Sequence, residues 1–390
     1  MNLHEFQAKR LLSTYAIRCP PGRVAITPEE AEAAAREINA TSIFVKAQVL
    51  AGARARAGGV RELGDARAVR TAAAELLGQR LVTDQTGPAG QIVRRVLIEA
   101  GADCAEELYL AMTVDGASGS IVLIGEAHGG SGVENRVRSE MLATQKLSFD
   151  VQGKLAQGDL AMFCRGLGLR SGTVDRLGEI IRNMHRAFVD IDASLIEMNP
   201  IAVTADGDLV VLDAKVVLDD NALFRHPELA ELRDEEDIDA IELKAQRHQI
   251  NFMQMDGDIG IIVNGAGLGL ATLDMVHDAG GEPANFMDIR TTAKSLDIAQ
   301  GIALVLDNPS AKVLLVNVYG GGMQPCDTII EGLGIAVRRK GRVLPIVLRL
   351  TGNNEELARL RLANFNLPTT ECADMWQAVT RAVAVARGET

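Results

Sequence analysis

Aromatic residues are scarce in this chain, at 3%, and so few rings cannot furnish the successive stacking platforms that single-stranded nucleic acids require. Basic residues are not in excess either. Forty Lys and Arg against 52 Asp and Glu give a formal charge of −12, so no net attraction draws the chain to a polyanion and no nucleic-acid partner is expected. The five cysteines, Cys19, Cys104, Cys164, Cys326 and Cys372, form no CxxC pair and are odd in number. That argues against a disulfide framework and for a reducing, cytoplasmic setting. No run approaches the ~18 apolar residues of a membrane span, and MNLHEFQAKR has no apolar signal core, so no membrane association is expected. The G-x-x-x-x-G-K-[ST] order is also missing, which means that any nucleotide site must be built by sheets rather than by a P-loop. VNGAGLGL fails the dinucleotide fingerprint, because Gly265, Gly267 and Gly269 alternate strictly, and no acid ends a second strand where a ribose reader belongs.

Ala, Gly, Val, Leu and Ile are plentiful, the mixture expected of buried strands covered by helices, and 390 residues suffice for two or three domains. HEFQAKRLLSTY and TPEEAEAAAREI read as helices, the second with a Thr-Pro start signal. SIFVKAQV, VRRVLIEAGA and EELYLAMTVD read as strands, with SGSIVLIGEAH the antiparallel neighbour of the last. GTVDRLGEIIRNMHRAFVDI reads as a long amphipathic helix, and SLIEMNPIAVTADGDLVVLDAK as a hairpin turning at Ala205 to Asp208. Between Asp219 and Gln254 the chain becomes charged and is expected to be helical, marking a join between domains. Beyond it, three strand, polar loop and helix units in succession predict a doubly wound parallel sheet with ligands at the carboxyl ends of its strands.

Chemistry is suggested at three places. Lys46 ends a strand and precedes a loop in which Gly52, Arg54, Gly58 and Gly59 let the backbone approach an anion. In the hairpin, Glu197 and Asn199 share one side of their strand and Asp213 ends the partner strand; an amide oxygen and a carboxylate are hard ligands suited to Mg²⁺. Glu99 and Glu107 bracket a turn, where they either bind ribose hydroxyls or are solvated. Asn264 and Gly320 to Gly322 stand at strand ends near helix N-termini, which suits a carboxylate or phosphate, although tight packing turns explain the glycines equally well. None of the six histidines lies in a glycine-bounded strand-to-helix loop, so none is expected to carry a covalent intermediate.

MNLHEFQAKRLL, VKAQVLAGARARAGGV, GQRLVTDQTGPAGQ, IEMNP with VLDAK, DDNALFRHPEL, VNGAGLGLATLDMV, GGEPANFMD and VNVYGGG together resemble the β subunits of the ADP-forming succinate–CoA ligases, with malate–CoA ligase β subunits as close relatives. The resemblance implies an N-terminal ATP-grasp domain over residues 1–235 and a flavodoxin-like domain over 236–390. It implies ATP and CoA as substrates, Mg²⁺ as cofactor, and a separate α subunit whose histidine is phosphorylated. By motif, Lys46, Ala53, Arg54 and Ala55 would bind phosphates, and Glu99, Ala102 and Glu107 would contact the nucleotide. Asn199 and Asp213 would hold Mg²⁺, Glu197 would act in catalysis by orienting the phosphohistidine, and Asn264, Gly321, Gly322 and Met323 would contact the acid. The chain departs from the family pattern at Leu50, at Ala53 to Arg56, at Ile289 to Thr292 and in the longer loop YGGGMQPCD. Succinate is the expected acid; malate or another substituted acid such as itaconate or sulfoacetate is the alternative, and a regulatory subunit with a decayed ATP site is a third reading.

Overall fold

A computed structural model describes residues 1–130, 133, 144–150, 153–155, 158–169, 171–238, 240–248, 250–321 and 324–389. The chain divides into two units, Met1–Asp237 and Ile238–Thr390.

Among the described residues the first unit holds two large antiparallel sheets and a two-stranded ribbon, Arg80–Leu81 with Gln91–Ile92. One has four strands in the order Gly22–Ala25, Val96–Ala100, Ile43–Ala47 and Val60–Leu63. The helices Pro28–Ile38 and Ala66–Leu76 cover it with alanine-rich faces, so that Ala31, Ala35, Ala72 and Ala73 pack with Val45 and Ile98. Short side chains let these helices lie close to the sheet. Each helix starts on a side-chain cap: Thr27 accepts from the Glu30 N–H at 3.2 Å, and Asp65 from that of Ala68 at 2.8 Å. The second sheet runs Leu209–Val211, Ala193–Val203, Glu106–Asp115, Ser120–Glu126 and Gln145–Phe149, and Ala214–Leu218 also pairs with Ala193–Val203. The helix Ser171–Asp190 backs it, burying Leu177, Ile181 and Met184 against Leu110, Met112, Ile196 and Met198. VLIEA and EELYLAMTVD, neighbours in sequence, therefore belong to different sheets.

The second unit has five parallel strands, in chain order Ile259–Val263, Asn285–Asp288, Val313–Gly320, Ile346–Gly352 and Thr369–Glu371. Their spatial order is second, first, third, fourth, fifth, the flavodoxin order, in which the direction of winding reverses between the first and third strands. The helices Ser295–Asp307, Cys326–Lys340 and Glu355–Phe365 pack on one face, and Ala266–Asp278 and Met375–Ala386 on the other. Both faces of the sheet are thus covered, as its almost uninterrupted Val, Ile and Leu runs require.

Two expectations change. There are five strand and helix units where periodicity showed three, because NFMD and TTE are too short to display a period. The charged stretch from Asp219 to Gln254 is not simply helical: it holds short helical turns at Asp220–Arg225, Pro227–Ala230 and Glu235–Asp237, the helix Ala240–Arg247, and a strand, Asn251–Gln254, that pairs antiparallel with Asn285–Asp288. Among the described residues no helix is long and apolar enough to cross a membrane.

Candidate functional site

Lys46 lies one residue before the end of the strand Ile43–Ala47, which is paired on both edges: Lys46 stands opposite Val60 on one side and Leu97 on the other. Its side chain is buried, and its ammonium donates to Glu99 Oε2 at 2.7 Å, to Glu5 Oε1 at 3.2 Å and to the Leu212 carbonyl at 2.6 Å. Lys9, from the first helix, Glu5–Ser13, meets the same groups. It bonds both Glu99 oxygens at 2.7 Å and Glu5 Oε1 at 3.0 Å, and it donates to the Leu212 carbonyl. Arg54 closes the cluster, with Nη2 2.7 Å from both Glu5 Oε2 and Asp213 Oδ2 and Nη1 donating to the Ala47 carbonyl at 2.8 Å. Three cations and three carboxylates thus interlock the first helix, the strand of Lys46 and the turn at Leu212–Asp213.

The electrostatics follow from this arrangement. Burial favours neutral Glu5, but Arg54, Lys46 and Lys9 outweigh it and hold the carboxyl well below the ordinary range. Burial also disfavours charge on Lys46, yet Glu5, Glu99 and Asp213 more than compensate and push its pKa up. For Arg54 burial is likewise overcome, by Asp213 and Glu5. Glu99 has two cations rather than three and the charge of Glu5 beside it; burial therefore prevails over Lys9 and Lys46, and its carboxyl is pushed up.

The loop after Lys46 is closed by hydrogen bonds from Ala47 N–H to the Gly59 carbonyl at 2.7 Å and from Gly59 N–H to the Arg54 carbonyl at 2.8 Å. At Gly59 a Cβ would stand 2.7 Å from a Leu81 methyl and 3.2 Å from the Arg54 carbonyl oxygen, so a larger residue would crowd the loop. Ala53 has a φ of +59°, the left-handed region that favours glycine, whereas Ala55 is not among the positive-φ residues. Of the two alanines that break the family pattern, only Ala53 therefore carries backbone strain.

Asn199 and Asp213 are brought together by the hairpin: the Asn199 N–H donates to the Asp213 carbonyl at 3.0 Å. The Asn199 side chain exchanges hydrogen bonds with Gly130, accepting from its N–H at 2.7 Å and donating to its carbonyl at 3.3 Å. Gly130 in turn lies against Glu107, whose Oε2 would be 2.4 Å from a Cβ at that position. Glu107, Gly130, Asn199 and Asp213 are thus contiguous. Glu197 lies opposite Lys215 and Ala111, on the other side of its strand from the buried Ile196 and Met198. Ala102, in the turn between the two sheets, is half-buried. Among the described residues no group of three or more His, Cys, Asp or Glu could hold a metal. Asn199 and Asp213 nevertheless fit a Mg²⁺ ion, which takes few protein oxygens and completes its shell with water and phosphate.

In the second unit, Asn264 stands at the point where the winding reverses. Its amide pairs with the Tyr319 backbone, accepting from the N–H at 2.9 Å and donating to the carbonyl at 2.7 Å. Its side chain thus joins the ends of the first and third parallel strands. Gly321 has open space around it; Gly322 and Met323 lie outside the described residues. Gln324, 3% exposed, is oriented by the acceptors around it so that the two protons of Nε2 are shared among the carbonyls of Arg290, Thr291 and Ala293 at 3.3, 3.1 and 3.2 Å. Two loops in which the chain departs from the family pattern are thereby fastened together.

Sequence reasoning missed Glu5, Lys9 and Gln324. Glu5 and Lys9 form an i,i+4 pair, which in sequence is indistinguishable from a solvated helix-surface pair. Only their burial gives them a role in the cluster.

An ATP-grasp domain model matches residues 2–203, and a CoA-ligase model matches residues 262–383. The β subunit of succinate–CoA ligase [ADP-forming] from Geobacillus kaustophilus (strain HTA426) is 39% identical over 387 residues, covering 99% of this chain and 100% of that protein. The protein of the same description from Cupriavidus taiwanensis is 39% identical over 389 residues, with complete coverage of both. Among solved structures, ATP citrate lyase from Methanothrix soehngenii, in complex with citrate and coenzyme A, matches with a TM-score of 0.76 at 19% identity, covering 100% of this chain and 99% of that one. At that identity the likeness is one of fold.

Proposed function

We propose that this chain, which belongs to the family of ADP-forming succinate–CoA ligase β subunits, is the nucleotide-binding subunit of an ATP-dependent acid–CoA ligase and works with an α subunit. The observation that carries this reading is the buried cluster of Lys46, Arg54 and Lys9 contiguous with the oxygen donors Asn199 and Asp213. Phosphoryl transfer asks a protein mainly for positioned cations and a metal site, and Lys46 and Arg54 beside Asn199 and Asp213 support that reading.

Lys46 and Arg54 neutralise the nucleotide phosphates, and the loop carrying Ala53 and Ala55 brings backbone close to them. Glu99, Ala102 and Glu107 line the nucleotide. Asn199 and Asp213 hold Mg²⁺, which when bound supplies charge neutralisation at the transferring phosphate. Glu197 orients a histidine of the α subunit that accepts the phosphoryl group. The phosphoryl group then passes to the carboxylate of the acid, and the thiolate of CoA displaces phosphate to leave a thioester. Asn264 and Gly321 are assigned to the acid, as are Gly322 and Met323 on the family motif alone. The two bonds to Tyr319 use one amide proton and one lone pair of Asn264, so they orient the side chain and leave a second N–H for the acid.

Succinate is the first candidate for the acid. A substituted acid such as malate, itaconate or sulfoacetate is the second reading, favoured by the fastening of Gln324 onto Arg290 to Ala293: a basic, hydroxyl-bearing loop is held at the carboxyl edge of the sheet. The cluster is complete around Lys46 and Arg54, which speaks against a decayed ATP site. Co-purified with its α subunit and given ATP, Mg²⁺ and CoA, the protein is expected to release ADP and phosphate with one of succinate, malate, itaconate or sulfoacetate. No turnover with any of a broad acid panel would refute the reading.

A further inference from the structure

We propose that Glu5 is a positioning residue of the nucleotide site: a resident anion that holds Lys46 and Arg54 in the place of phosphate, so that the site takes up nucleotide far better with its metal than without. The inference rests on the nucleotide reading above and extends it to a residue with no assigned part.

A lysine and an arginine beside a glycine-bearing loop suggest a positive hole, but the cluster is neutral. Lys9, Lys46 and Arg54 face Glu5, Glu99 and Asp213, and of the six only the Asp213 side chain is substantially exposed, at 37%. Glu5 is the carboxylate that touches all three cations, at 3.0 Å from Lys9, 3.2 Å from Lys46 and 2.7 Å from Arg54. Gln48 Nε2 donates to it at 3.2 Å as well. A phosphate arriving alone meets cations whose charge is already matched, and it must displace carboxylates to reach them.

Arg54 shows how the match is broken. Its Nη2 is shared between Glu5 Oε2 and Asp213 Oδ2. When Asp213 turns to a divalent cation, Arg54 loses one of its two anions and is free to take a phosphate oxygen instead. Metal and phosphate are thereby coupled through one guanidinium, and by linkage each must strengthen the other. Glu5 sets the size of that coupling, because it is the charge that keeps the cluster neutral when no metal is present. Glu5→Gln keeps the shape and an oxygen acceptor, but it leaves three cations facing two carboxylates.

Calorimetry on the full chain with ADP, once in EDTA and once in excess Mg²⁺, tests this. For the wild type, Mg²⁺ should tighten ADP binding strongly. For Glu5→Gln, metal-free ADP should bind at least about tenfold tighter than to wild type, since one unit charge a few ångströms away in a partly buried site is worth at least that, and the gain from Mg²⁺ should shrink by the same factor. A residue with a merely structural part would weaken both arms alike when removed. Glu5→Asp keeps the charge but withdraws it by one methylene; it should raise metal-free affinity a few-fold, and it serves if Glu5→Gln does not fold. Unchanged or weaker metal-free binding in the folded variants would overturn the part given to Glu5. Wild-type chain that binds no ADP even with Mg²⁺ would refute the nucleotide reading itself.

Discussion

Replacing Lys9 by methionine tests whether the cluster acts as one balanced unit. The side chains of Lys9 and Glu99 are only 6% and 3% exposed, and Lys9 bonds both Glu99 oxygens at 2.7 Å. In Lys9→Met two cations remain against three carboxylates, and Glu99 keeps only Lys46. Leaving a buried charge uncompensated typically costs about 3–5 kcal/mol. At about 2–4 °C per kcal/mol for a unit of this size, the melting midpoint of the first unit should fall by roughly 10 °C. The double variant Lys9→Met with Glu99→Leu restores the balance, two cations against two carboxylates. Replacing both members of a buried pair by apolar groups is often close to neutral, so the double variant should be more stable than the sum of the single losses by about 2 kcal/mol or more. Urea denaturation followed by far-ultraviolet circular dichroism gives the cycle. The single tryptophan, Trp376, belongs to the second unit, so comparing its fluorescence with the dichroism identifies which unit has moved. Additivity of the two single losses within about 0.5 kcal/mol would refute the idea that the six charges form one unit.

Ala53→Val should cost about 1–2 kcal/mol in chemical denaturation, because a β-branched residue is forced to a φ of +59°; Ala55→Val should cost clearly less, and equal losses would remove the distinction between the two positions. Gly352→Ala should destabilise the second unit by more than about 3 kcal/mol, since its φ is +107° and a Cβ would stand 2.2 Å from the Gly320 carbonyl oxygen; a normal Trp376 transition would contradict this. Gln324→Leu should raise the KM for the acid while leaving ADP affinity unchanged, as measured by steady-state kinetics and calorimetry, because it releases three carbonyls of the 290–293 loop. In acid, the depressed pKa of Glu5 contributes stability that is full above the ordinary glutamate value of 4.5 and is lost as pH falls through the folded value. Glu99, whose carboxyl is pushed up, acts in the opposite sense: its contribution declines as pH rises from 4.5 through its folded value. Glu99→Gln should therefore make stability rise more steeply with pH over that window, and a flatter profile would show the direction to be wrong.

Much of the site was legible where chemistry and local pattern coincide. Lys46 at a strand end, Arg54 among glycines, and Asn199 facing Asp213 across a hairpin could each be read from spacing. The family motifs add Ala102. Local pattern makes Glu99 a strand-end acid, either solvated or bound to ribose, yet its side chain is 3% exposed and held by Lys9 and Lys46. No spacing rule relates Lys9 to Glu99, 90 residues away, because the pairing arises only when the first helix comes to rest on the strand Val96–Ala100. Asn264 stands at a strand end, as its place in VNGAG indicates, but its partner Tyr319 is 55 residues away and could not be read from local pattern.

By itself the sequence determined the alternation of strands and helices, the α/β class and the kinds of charge available, since these depend on periodicity and side-chain chemistry over a few residues. Family motifs carried it further, to an ATP-grasp half followed by a doubly wound half. Tertiary structure alone decided that VLIEA and EELYLAMTVD enter different sheets, that five rather than three parallel strands build the second unit, and that a helix-surface pair, Glu5 and Lys9, is buried beneath Lys46. The physical reason is the same in each case. Burial and charge balance are properties of groups far apart in the chain, and they exist only once the backbone has brought those groups within a few ångströms of each other.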